Sequence, residues 1–120
     1  MVQEASIPFT TTRLQVVMYD NACADLFLFG DRNGRQFMPI GFLELVIDTT
    51  VLQIEHFKVA DDLQGKGYGR EMYRWLENYA RENAVMRITL HAYEPATGFW
   101  KKMGFKLTDL KKGDMVKDLE

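Results

Sequence analysis

The chain has 120 residues, 47% hydrophobic and 27% charged, with 15 Lys and Arg against 17 Asp and Glu for a net charge of −2. That balance and length fit one globular domain, not a disordered chain. Without a global basic field or a binding motif, RNA and DNA are not expected partners; nor is a membrane, because the longest apolar stretch, Phe37 to Ile47, contains Glu44 and falls far short of a span.

The first 20 residues carry Glu4, Arg13 and Asp20 and no apolar core, so no secretory signal is expected. Leu14 to Tyr19 is rich in β-formers and reads as a first strand, Leu26 to Gly30 as a second. Between them lies Cys23, the one cysteine, which excludes an intrachain disulfide and points to a reducing, cytoplasmic setting. Asn33-Gly34, within Arg32 to Arg35, is a hairpin signal. A third strand is expected over Ile40 to Ile47, a turn at Asp48-Thr49-Thr50, and a fourth strand over Val51 to Val59, completing an antiparallel meander.

A helix is expected from about Gly67. Tyr68, Met72, Trp75, Leu76 and Tyr79 recur on one face of a 3.6-residue period, Glu77 and Arg81 form an i,i+4 pair, and Asn83 is a plausible stop. Met86 to Ala92 reads as a fifth strand. Pro95 suits the first turn of a short helix that Gly104 would end. Phe105 to Leu110 and Met115 to Leu119 complete a hairpin around Lys112-Gly113-Asp114. The fold class is α+β with a mixed, mostly antiparallel sheet, whose parallel pair is the two strands flanking the long helix.

The chemistry concentrates in Gln64-Gly65-Lys66-Gly67-Tyr68-Gly69-Arg70, between a strand and an amphipathic helix. Glycines let a ligand approach the backbone, and the N–H groups of a first helical turn, with the dipole behind them, attract a phosphate or pyrophosphate. Lys66 and Arg70 at a helix N-terminus are explained by a bound anion. The alternative is a glycine-rich turn that only caps a helix. The spacing is neither G-x-G-x-x-G nor G-x-x-x-x-G-K-[ST].

Gln64 to Gly69 resembles the Q/R-x-x-G-x-G/A signature of the GNAT superfamily of N-acetyltransferases, and the run Ala96 to Phe105 (ATGFWKKMGF) resembles its second signature, A-x-x-F-Y-x-K-x-G-F. The resemblance covers Val51 to Leu119 well and the N-terminal half in outline. It implies a GNAT-like acyl-CoA N-acyltransferase fold that lacks or shortens the family's first two helices, since only Asp20 to Asp25 separates the first two strands. It implies acetyl-CoA as co-substrate, with the pyrophosphate on the loop from Gln64 through Gly65, Lys66, Gly67, Tyr68 and Gly69 to Arg70. The pantetheine arm would pair with the strand near Phe57, Lys58 and Val59, the two parallel strands would splay at the thioester, and Phe99 and Trp100 would flank the path.

Trp100 stands where the family usually has a Tyr acid, and an indole N–H is no general acid near neutral pH. Tyr93 is the substitute candidate, a structural strand-end Tyr being its alternative. A lysine-type amine, with pKa ~10.4, is free base in only about one molecule in 10³ at pH 7, so a proton acceptor is needed. Glu55 is the candidate; its alternative is a solvated or ion-paired residue. In a regular strand His56 would face the other way, an expectation that a bulge would reverse. His91 reads as a structural histidine, and one Cys with two His makes no zinc site.

The resemblance thus implies an N-acetyltransferase acting on a primary amine in a ternary complex. A non-catalytic acyl-CoA-binding or interaction module is the alternative. The missing helical wall suggests a protein or peptide acceptor, unless a homodimer closes the site.

Overall fold

The structure, a computed structural model, describes residues 2–6, 13–19, 23–32, 35–109 and 111–119. Strands β1 (Val2–Ser6), β2 (Arg13–Met18), β3 (Cys23–Arg32), β4 (Arg35–Asp48) and β5 (Val51–Val59) run as an antiparallel meander. Helix α1 (Tyr68–Glu82), strand β6 (Arg87–His91), a short helix α2 (Thr97–Lys102) and the hairpin β7 (Lys106–Asp109) and β8 (Asp114–Asp118) follow. The sheet has eight strands in the order β1-β2-β3-β4-β5-β6-β8-β7, and β5 with β6 is its parallel pair, as the helix between them requires.

The α+β class and the parallel pair agree with the sequence reading, and β5 matches to the residue. β1 is an addition: Val2–Ser6 has no sustained apolar alternation and becomes a strand by pairing with β2. β3 and β4 extend beyond Leu26–Gly30 and Ile40–Ile47, because their long hairpin continues past the apolar stretch to Arg32↔Arg35. The Asn33-Gly34 turn lies outside the described residues. No helix occurs between β2 and β3 among the described residues.

Alternation along the strands sends Leu26, Leu28, Leu43, Leu45, Leu52, Ile54, Ile88 and Leu90 to one face, where they are buried. Met72, Tyr73, Leu76 and Ala80 of α1 pack onto them. The buried stripe is rotated from the expected one: Tyr73 and Ala80 are inside, while Trp75 and Tyr79 are half-buried and stack at 5.3 Å. Trp100 of α2 joins this core, edge-on to Phe57 (4.9 Å), Tyr73 (5.8 Å), Phe99 (4.9 Å) and Phe105 (5.2 Å). Such pairs contribute roughly 0.5–1.5 kcal/mol each beyond burial. Lys117 locks α1, α2 and β8 together: its ammonium donates to Glu77 and, at 2.7 Å, to the Met103 carbonyl ending α2. Tyr73 and Arg81 also bind Glu77. Burial works to raise the Glu77 carboxyl, but these donors outweigh it and hold the group below its ordinary range.

Candidate functional site

β5 runs into a 3₁₀ turn (Asp61–Leu63), and the loop then climbs to α1. The Gln64 amide closes this corner, donating to the Val59 carbonyl at 3.0 Å and to Asp61 at 3.3 Å. Lys58 reaches Asp61 at 2.9 Å, a hydrogen bond that raises its ammonium above the usual lysine value. Gly67 caps α1 with φ +94°, a left-handed conformation that strains a side-chain-bearing residue. The first helical rung runs from the Glu71 N–H to the Gly67 carbonyl, and no side chain caps the end. The N–H groups of Gly69 and Arg70 therefore precede the hydrogen-bonded ladder, at the positive pole of a helix of 15 residues.

Gly69 has a different task. A Cβ there would stand 3.3 Å from the Phe99 ring and 3.6 Å from Val59, so its absence lets α1 approach α2 and β5. The result is a cleft of about 730 Å³ walled by Phe57, Lys58 and Val59 of β5, by Gln64, Gly65, Gly67, Gly69 and Arg70, and by Tyr93, Phe99 and Trp100. Ten of the expected cofactor contacts thus line one cavity, as does the candidate acid Tyr93. Lys66 and Tyr68 do not. Lys66 points to solvent, and Tyr68 packs against the core because the helical period turns it away from the loop mouth. Leu63, Pro95 and Met103 also line the cleft; the sequence singles out none of them as a site residue, since an apolar side chain does not by itself mark a binding site.

The parallel ladder runs from Val51↔Arg87 to Ile54↔Leu90 and stops. Past it β6 stays with β8, through His91↔Asp114 and the Ala92 N–H to the Gly113 carbonyl, while β5 continues alone along β4. Among the described residues the β6-facing edge of β5 beyond Ile54 has no strand partner, and Phe57, Lys58 and Val59 there line the cleft. Splaying at this point agrees with the expectation from the resemblance.

A bulge sits at the parting. Glu44 pairs with His56 and Leu45 with Ile54, leaving Glu55 as an extra residue. The regular-strand expectation for His56 is therefore corrected: Ile54 and Phe57 both turn to the core, and Glu55 and His56 are both exposed. The His56 Nε2 lies 3.7 Å from Glu44, whereas Glu55 has no ion-pair partner among the described residues. His91 is exposed and held by Asp114 at 2.7 Å on the far side of β6, consistent with a structural role. Trp100 is a cleft wall packed among rings, and its indole N–H is no general acid near neutral pH. Sequence reading also missed Asp25, buried on β3, whose surroundings depend on cross-strand register.

The model of the acetyltransferase (GNAT) family matches residues 2–105. The uncharacterised N-acetyltransferase ycf52 of Gracilaria tenuistipitata var. liui is 30% identical over 94 residues, covering 78% of this chain and 50% of the relative. The chain thus spans about half the length of that curated relative. Among solved structures, the PaiA N-acetyltransferase of Thermoplasma acidophilum in complex with coenzyme A superposes with a TM-score of 0.66 at 22% identity, covering 78% of this chain and 60% of that one. Tetrahymena GCN5 gives a TM-score of 0.66 at 15% identity, covering 85% and 71%. At these identities the structural likeness establishes the fold.

Proposed function

Since the chain belongs to the acetyltransferase (GNAT) family, we propose that it transfers the acetyl group of acetyl-CoA to a primary amine, with both substrates bound together. The observation that carries this reading is the parting of β5 and β6 beside the glycine-loop cleft. Free helix-terminal N–H groups suit a pyrophosphate, and an unpaired strand edge suits an amide-containing arm. Acetyl-CoA supplies the activated acyl group. The chain's own groups hold it and manage two protons. Backbone N–H groups of the open β5 edge near Val59 polarise the carbonyl. Glu55, set at the parting by the bulge and without an ion-pair partner among the described residues, accepts the proton that the amine loses on attack. Tyr93, in the cleft wall, donates to the departing thiolate.

One observation favours a non-catalytic acyl-CoA-binding module: Trp100, in the place of the family's usual Tyr, is packed among rings and carries no acid. Acetyl-CoA turnover and CoA titration, run together, separate the readings. For the enzyme, Glu55→Gln lowers kcat by about 10²-fold and removes the acidic limb of the pH–rate profile, with CoA affinity retained. His56→Gln leaves that limb in place. A wild-type rate in Glu55→Gln assigns the proton elsewhere; CoA binding without turnover on any amine supports the binding module.

A further inference from the structure

On the sheet face opposite the helices, the register aligns a row of polar side chains across three strands. Asp25 of β3 lies opposite Glu44 of β4, and Glu44 opposite His56 of β5. Asp25 is the buried charged residue of the described chain, 8% exposed. Its Oδ2 accepts the Tyr19 hydroxyl at 2.5 Å, and its Oδ1 accepts no hydrogen bond among the described residues. A buried carboxylate oxygen without a donor is unfavourable until something supplies one. Glu44 has the His56 imidazole at 3.7 Å, and Lys58, one row along, is engaged by Asp61. Among the described residues the row therefore holds two carboxylates whose one basic neighbour is the His56 imidazole, and it ends at the bulge where β5 and β6 part. Beside it Phe27 and Phe42 pair at 5.2 Å, both half-buried, forming an apolar ledge. No helix covers this face among the described residues.

We propose that the Asp25–Glu44 row is a subsite for a second positive charge on the acceptor, which makes the acceptor a cationic peptide with a basic residue near the amine that is acetylated. This rests on the acetyl-transfer reading. Charge complementarity identifies the occupant: the half-exposed Glu44 carboxylate accepts a charged donor, the buried Asp25 carboxylate behind it adds negative charge that the Tyr19 hydroxyl does not neutralise, and the Phe ledge suits the aliphatic stem of Lys or Arg. From β5 to β3 is two strand spacings, ~10 Å, about three residues of extended peptide.

The test uses the full chain, acetyl-CoA and lysine peptides differing in one position, with Arg, Gln or Glu placed up to about three residues from the lysine. Arg is expected to raise kcat/KM about tenfold over Gln, through KM, and Glu to lower it. Asp25→Asn and Glu44→Gln should each erode that preference. Glu44 is half-exposed, so Glu44→Gln decides the matter if Asp25→Asn does not fold. No Arg preference in the wild type, an unchanged preference in Glu44→Gln, or better use of free spermidine than of every peptide overturns the proposal. If no peptide is acetylated, fluorescence anisotropy of the same peptides on the CoA-loaded protein separates the two ideas. An Arg preference that Glu44→Gln erodes upholds the subsite and leaves the transfer reading to fail alone; equal binding of Arg and Gln peptides overturns the subsite.

Discussion

The two faces of the sheet solve different problems. The helix-bearing face is closed: Leu26, Leu43, Leu52, Leu76 and Ile88 have no exposure, and its Glu77–Lys117 pair is shielded by Tyr73 and Met103. The opposite face carries half-buried Phe27, Phe29 and Phe42, the open Glu44–His56 pair and the orphaned Asp25 oxygen. Apolar burial stabilises in proportion to the area withdrawn from water, so stability resides on the first face. A half-covered face with unsatisfied acceptors contributes little to folding and leaves groups for a ligand. The cleft lies where the strands part, in reach of both.

The contrast breaks if truncations on the two faces cost the same. Leu76→Ala should destabilise by about 3 kcal/mol, lowering Tm by roughly 12 °C for a domain of this size, because the cavity lies between α1 and the sheet. Calorimetry of this variant sets the scale for the rest. Gly67→Val should leave the fold in place and lower CoA affinity about a hundredfold, through strain at φ +94° and blockage of the loop. Isothermal titration checks this, and unchanged affinity in a folded variant removes the glycine loop as the cofactor site.

The ion pairs sharpen the contrast further. Because the folded Glu77 carboxyl lies below its unfolded value, it stabilises the protein above the ordinary Glu pKa of about 4.3, and that stability is lost as pH falls through the lowered folded value. Lys117→Met should lower Tm at neutral pH and shrink the part of it lost on acidification, since the folded Glu77 carboxyl then rises toward its unfolded value. His56→Gln, which removes the exposed partner of Glu44, should leave the acid transition nearly unmoved. Similar shifts in both variants would show that the faces are electrostatically alike. The smallest effect is expected for Phe42→Ala, about 1 kcal/mol of stability by denaturant titration, as only part of that ring leaves water. A loss as large as that of Leu76→Ala would place Phe42 in the main core and remove the apolar ledge.

The amino-acid sequence by itself determined the order of elements from Val51 onward, the ends of α1 at Gly67 and Asn83, and the glycine loop. These are local properties: a 3.6-residue period, residues with special backbone freedom, and turns within a few positions of one another. It also carried the two signatures of the family to which the chain belongs. Tertiary structure decided the rest, because the rest depends on partners far away in the chain. β1 exists through its pairing with β2. The bulge that turns Glu55 and His56 to the same exposed side arises from the offset between β4 and β5, which no period in Val51–Val59 records. Tyr73 enters the core because Trp100 and Phe105 meet it there. Asp25 becomes a buried carboxylate only when β3 is laid between β2 and β4, with the Tyr19 hydroxyl on one oxygen and, among the described residues, no donor on the other.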